Sequence, residues 1–114
     1  MRRGEIWLIN LDPTIGAEIR KTRPAVIVND DAIGILPLKV IVPITDWKDR
    51  YAVAPWMVRL EPDVTNGLEK PSVADAFQVR SVSQDRFVRR LGVLSDAAMK
   101  TIAQALAVVL SIKP

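Results

Sequence analysis

The sequence predicts a small, mainly β domain with one C-terminal helix (α+β), built as a strongly bent antiparallel sheet or barrel. Three observations carry this expectation. Short runs of β-branched and aromatic residues recur between Gly, Pro, Asn and Asp turn signals. Apolar residues at helical spacing occur only near the C-terminal end. A length of 114 residues fits a single domain, 1–114, large enough to bury a core without disulfides or metal staples.

Residues 3–11, RGEIWLINL, read as a first strand bounded by Gly4 and the Asp12-Pro13 turn signal, and residues 25–28 as a second. Between them Glu18, Arg20, Lys21 and Arg23 place four charges within six positions, so this segment is a surface loop. Asn29-Asp30-Asp31 reads as a turn whose side chains bond their own backbone. Two adjacent carboxylates without further ligands make a poor hard-cation site, which wants about six oxygens. An apolar, Gly- and Pro-punctuated connection at 33–37 leads to a third strand at 38–45, where Pro43 predicts an edge position or a bulge.

A polar turn at 46–50 contains Trp47, and alternation over 53–60 predicts a fourth strand with one wet face and Trp56 in the core. Residues 61–71 are a connection with a tight turn at Asn66-Gly67. Residues 72–82 read as one further strand, with Asp75 on its apolar side and therefore in need of a partner. A helical turn at 83–86 and a last strand at 87–94 follow. Ser95 is an N-cap with Asp96 at the positive end of the helix dipole. Met99, Ile102, Ala103, Leu106, Val109 and Leu110 then keep helical spacing, while Ala98, Ala105 and Val108 make the opposite face nearly as apolar. Such a helix is expected to be covered on more than one side.

Composition narrows the chemistry. About half the residues (49%) are apolar and 25% charged, as in ordinary globular domains. No apolar run reaches the length of about 18 that spans a bilayer, and the N-terminal residues enter strand pattern without a secretory apolar region, so a cytoplasmic, non-membrane protein is expected. The absence of cysteine and histidine excludes thiolate sites, zinc fingers, Ser-His triads and the paired-histidine scheme of many ribonucleases. No metal or other cofactor is expected. A net charge of +3 and a pI near 9.6 tolerate a nucleic-acid partner without requiring one.

Four stretches, taken together, are more specific than any single motif: Arg3-Gly4-Glu5-Ile6-Trp7; Leu-Asp-Pro-Thr-x-Gly at 11–16; Lys21-Thr22-Arg23-Pro24-Ala25-Val26-Ile27-Val28; and Val42-Pro43-Ile44-Thr45. In order and spacing they resemble the MazF/PemK (Kid) family, the toxins of bacterial toxin–antitoxin pairs. The resemblance runs on through 72–82 into the helix and so spans nearly the whole chain. It implies a small SH3-like barrel of the MazF/CcdB kind, a homodimer, and a metal-independent, sequence-selective endoribonuclease that cuts single-stranded RNA and is neutralised by a cognate antitoxin. The two-sided helix and the unbroken apolar run at 25–28 independently leave surface that a dimer would cover.

Cutting RNA without a metal requires a base for the 2′-hydroxyl, a proton for the leaving oxygen, and stabilisation of the charge that grows on the phosphate. The resemblance places a catalytic arginine at Arg23 and a catalytic threonine at Thr45. Arg23 precedes Pro24, which favours extended backbone and a rigid mount for the guanidinium. A guanidinium stays protonated, so its role is electrostatic rather than acid–base. Asp75 and Glu18 are the candidate bases. Some family members carry histidine where this chain has Ala17, or arginine where it has Val73, and a mechanism using either cannot operate here.

Arg20, Lys21 and Arg80 are candidate phosphate contacts, Asn10 and Gln78 candidate base readers, and Trp47 a stacking candidate. Arg86, Arg89 and Arg90 read first as a solvated strand edge and second as an RNA or antitoxin contact. Two rival functions remain: a CcdB-like, non-enzymatic toxin that binds DNA gyrase, which would not need Arg23 and Thr45, and an RNA-binding module that does not cut.

Overall fold

The structure, a computed structural model, describes residues 1–34 and 36–113. Ile35, within the connection expected at 33–37, lies outside the described residues. Seven strands form one antiparallel system: β1 (Glu5–Asn10), β2 (Thr22–Ile27), β3 (Leu38–Asp46), β4 (Met57–Leu60), β5 (Ser72–Asp75), β6 (Arg80–Ser83) and β7 (Phe87–Val93). The strand order is β4-β5-β3-β2-β1-β7, with β6 paired to β3. The order ends at β4 and β7, so hydrogen bonds leave this bent sheet open. One helix, α1 (Asp96–Val109), follows.

Strand β3 is the trunk. One edge pairs with β2, while the other pairs first with β6 through Ile41 and then with β5 from Ile44 onward. Pro43 therefore sits inside the most connected strand rather than at an edge. It faces Ala25 of β2, and on the other side it falls where β3 changes partners, between the β6 pairs that end at Ile41 and the β5 pairs that begin at Ile44. The residues of β3 and its neighbours divide into two apolar clusters, one containing Ile6, Val26, Val42 and Ile44 with the helix residues Met99 and Ile102, the other containing Ile9, Leu11, Ala25, Ile27 and Ile41. Alternation along the strands sends successive side chains to opposite faces.

Two expected strands are shorter than their patterns. Residues Asp49–Val53 form a 3-10 turn, so β4 starts only at Met57, and Trp56 is half-buried against the core. The run 72–82 is broken at Ala76–Gln78, where the Asp75 carboxylate caps a 3-10 turn by accepting from Phe77 N at 3.1 Å. A side chain bonding the backbone two residues ahead competes with the ladder, and strand alternation alone does not register it. The turn turns Phe77 outward, 65% exposed, while all four residues of β5 are buried.

The connection 61–71 packs against β7 through the expected Asn66-Gly67 turn. Asn66 is buried, its amide donating to Glu61 O and its carbonyl oxygen accepting from Asp63 N and Leu68 N. Gly67 has φ +71°, and a Cβ there would stand 2.2 Å from Leu91 O, so only glycine fits. Ser95 caps α1 by accepting from Ala98 N at 3.1 Å. Within one chain the helix buries Met99 and Ile102 and, from its other apolar face, Ala105, while Val108 near its end and the C-cap Leu110 are each 56% exposed. Among the described residues no helix is long and apolar enough to cross a membrane.

Candidate active site

The register of the first three strands builds the site. β1 pairs with β2 so that Ile9 faces Arg23, and β2 pairs with β3 so that Ala25 faces Pro43. The β2–β3 pairs end at Ala25 and Pro43, and Arg23 and Thr45 each lie two residues beyond that last pair. Arg23 pairs with Ile9 of β1 and Thr45 with Val73 of β5, and both of those partners are fully buried.

Both residues line an open cleft of about 310 Å³, with Thr22 and Pro24 of β2, Ile44 and Asp46 of β3, and Lys70 and Arg89. Three consecutive residues of each strand take part, so the cleft wraps around the strand ends. Arg23 Nε donates to Arg20 O at 3.4 Å, and among the described residues its terminal nitrogens make no hydrogen bond or ion pair. Lys70 Nζ lies 3.1 Å from Asp46 Oδ2. With that pair neutralised, Arg23 and Arg89 face the single carboxylate of Glu69, and the cleft favours an anion. Arg89, expected first on a solvated strand edge and second as an RNA or antitoxin contact, lines this cleft, together with Asp46, Glu69 and Lys70, which no motif marks. They come from separate segments, and only the fold brings them together.

The loop between β1 and β2 carries Glu18, Arg20 and Lys21, and specific contacts fix it. Gln78 Oε1 accepts from Ile19 N at 2.6 Å, and Gln78 Nε2 donates to Ala17 O at 3.2 Å, so the amide clamps the loop from 59 residues away. Arg80 donates to Leu11 O at 3.2 Å, and Arg86 donates to the carbonyls of Asn10 and Asp12. Glu18 Oε1 accepts from Ile15 N at 2.8 Å. Lys21 has φ +70°, an uncommon conformation outside glycine that turns the chain into β2.

Other candidates lie away from the cleft. Glu18, Gln78 and Arg80 border a second cavity of about 470 Å³, lined also by Ile19, Pro43 and Phe77. Asn10 is exposed at the end of β1, its Oδ1 accepting from Asp12 N. Trp47 is half-buried, with the Arg59 guanidinium 4.8 Å from its ring centre and its Nε1 donating to Asp49. Asp75 is 6% exposed and is not among the residues that line either cavity. Burial pushes its carboxyl above the ordinary value, outweighing the hydrogen bonds from Phe77 and Gln78 that pull it down.

The bent β sheet thus carries an open, anion-favouring cleft lined by Arg23 and Thr45. Comparison with known proteins gives the family. The model of the PemK-like, MazF-like toxins of type II toxin–antitoxin systems matches residues 2–110, and the chain belongs to that family. It is 36% identical to the endoribonuclease MazF9 of Mycobacterium tuberculosis over 93% of this chain and 92% of that protein. It is 33% identical to the endoribonuclease PemK of Escherichia coli over 97% of this chain and 83% of that one. Among solved structures, MazF from Deinococcus radiodurans superposes with a TM-score of 0.82 at 23% identity, covering 98% of this chain and 97% of that one. A mycobacterial endoribonuclease in complex with its cognate antitoxin gives 0.79 at 22% identity, covering 100% and 98%.

The environment of Asp75 makes a pH-dependent prediction. A raised folded-state pKa means the native chain prefers the protonated acid. That preference stabilises fully below the unfolded value and is lost as pH rises through the folded one. Asp75→Asn keeps the Oδ1 acceptor for Phe77 N and never acquires charge. Its urea midpoint should therefore gain on wild type between about pH 3.5 and about pH 7. An equal difference at both pH values would show that desolvation of the carboxylate is not what governs this position.

Proposed function

We propose that this protein is the endoribonuclease toxin of a toxin–antitoxin pair, cutting single-stranded RNA in the cleft that contains Arg23 and Thr45. The presence of those two side chains in one cleft, on the neighbouring strands β2 and β3, carries the reading. It is supported by family membership and by relatives named endoribonucleases. The 2′-hydroxyl of the nucleotide on the 5′ side attacks the adjacent phosphorus. A 2′-O–P bond forms, the P–O5′ bond breaks, the leaving 5′-oxygen takes its proton from water, and the products carry a 2′,3′-cyclic phosphate and a 5′-hydroxyl.

Arg23 holds the non-bridging oxygens as their charge grows, and its planar fork can donate two parallel hydrogen bonds. The Thr45 hydroxyl donates beside it and fixes the phosphate against the buried row. For the proton of the 2′-hydroxyl, Glu18 is the base proposed here: its surface carboxylate borders the neighbouring cavity rather than the cleft, and it would have to be brought to the RNA by its loop, which leads into Arg23. Buried Asp75 acts through Gln78, holding the turn that clamps the loop. Arg20 and Lys21, exposed on that loop, meet the flanking phosphates, with Arg80 at the neighbouring cavity. Asn10 reads a base at the loop's start, and Trp47 is a stacking surface beyond Thr45. A nucleophile already tethered one bond from its target makes positioning and charge stabilisation sufficient.

The functional unit of this reading is a cytoplasmic homodimer. Its support is the exposed apolar C-terminal end of α1, where Val108 and the C-cap Leu110 stand in water. A cognate antitoxin is the second partner, as in the mycobacterial complex. Light scattering at micromolar concentration should report twice the chain mass of 12.7 kDa, and the single-chain mass across that range would rule the dimer out.

Arg23→Lys tests the site. Lysine keeps the charge but loses the fork, so single-turnover cleavage should fall on the order of a hundredfold, about 3 kcal/mol, while affinity for an uncleavable 2′-deoxy substrate changes less than about tenfold. Thr45→Val, which keeps the β-branched shape, should also slow cleavage in a folded protein. Near wild-type cutting by Arg23→Lys, or equal losses in binding and cleavage, would make Arg23 a positioning residue instead.

A further inference from the structure

The cavity beside the cleft has a feature that the cleavage chemistry does not use. Phe77 is 65% exposed, yet its ring is held at 5.9 Å from Trp56, a partner itself half-buried against the core. The 3-10 turn that Asp75 caps presents it outward. A large aromatic side chain left in water but supported from behind offers a ready stacking surface.

Around it the cavity of about 470 Å³ is lined by Pro43, Ile19 and Val79, with the Gln78 amide, the Glu18 carboxylate and the Arg80 guanidinium at its border. Apolar walls with a few converging polar groups are what a flat, hydrogen-bonding ligand requires. Its position narrows the ligand further. Pro43 lines this cavity, and Ile44, Thr45 and Asp46, the next residues of β3, line the cleft. At about 3.3 Å per strand residue, Pro43 and Thr45 are roughly 7 Å apart, within reach of the nucleotide next to a phosphate held at Thr45.

We infer that the cavity formed by Phe77, Pro43, Ile19 and Val79 is a nucleobase pocket, in which Phe77 stacks on the base of a nucleotide adjoining the scissile phosphate. The inference rests on the cleft being the cleavage site. It differs from the stacking expected at Trp47, whose ring already has the Arg59 guanidinium over it. Every base has a π-face, so Phe77 supplies affinity without selecting among bases.

The test is binding of an uncleavable 2′-deoxy oligonucleotide to Phe77→Ala and Phe77→Trp, with circular dichroism verifying the fold of each. Loss of base–aromatic stacking should weaken binding by Phe77→Ala about tenfold or more, while Phe77→Trp keeps wild-type affinity. A 2-aminopurine placed beside the cleavage position should be quenched on binding wild type and Phe77→Trp, and less so on Phe77→Ala. Unchanged affinity and quenching in Phe77→Ala would overturn the pocket. So would a variant that binds RNA normally but dissociates as a dimer, which would make Phe77 an interface residue. Failure of the cleavage reading shows separately, as wild-type protein that binds the oligonucleotide but leaves RNA uncut.

Discussion

The register of β1, β2 and β3 is the constraint on which the rest of the molecule depends. Side chains alternate along a strand, so a slip of one residue would turn Arg23 to the other face of the sheet and separate it from Thr45. The fully buried residues Ile9, Ala25, Ile27 and Ile41 on one face, and Ile6, Val26, Val42 and Ile44 on the other, make such a slip prohibitive. Each fully buried aliphatic side chain contributes roughly 2 kcal/mol relative to exposure, far more than any polar contact in the cleft. The apolar pattern that forms the core therefore also aims the polar pair.

Around that rigid row the polar contacts divide the labour. Gln78, Arg80 and Arg86 bind backbone groups of the loop or of its entrance, and so spend hydrogen-bonding capacity on shape. Arg23 and Arg89 instead leave charge in the cleft. The two cavities lie on neighbouring segments of the same strand and the same loop, so anything that shifts the loop alters both. Asp75 belongs to this support. By capping the 3-10 turn it sets the direction of Phe77 and of Gln78 together.

Much of this was legible in the sequence. β-branched runs gave the first three strands to within a few residues, Ser95 marked the helix start, and Asn66-Gly67 marked the turn. The motif containing Arg23 and Thr45 identified two cleft residues that propensity alone would have left as a solvated charge and a β-former. Three things were not legible. Pro43 suggested an edge or a bulge because nothing local reveals that β3 changes partners at that point. The break after Asp75 was hidden because Val73, Asp75, Phe77 and Val79 keep perfect alternation, and a side-chain cap leaves no mark on periodicity. Lys70 and Arg89 join the cleft from separate segments, and the spacing of charges along the chain does not encode proximity across a sheet.

The central claim is that residues of this chain, with Arg23 and Thr45 foremost, cleave RNA through its own 2′-hydroxyl. The most direct measurement is to incubate the purified protein with a long single-stranded RNA in excess EDTA and determine the chemistry of the new ends. The account predicts cleavage that leaves a 2′,3′-cyclic phosphate, or the 3′-phosphate to which it hydrolyses, with a 5′-hydroxyl on the downstream fragment. Ends bearing a 5′-phosphate, or activity lost in EDTA and restored by magnesium, would contradict it.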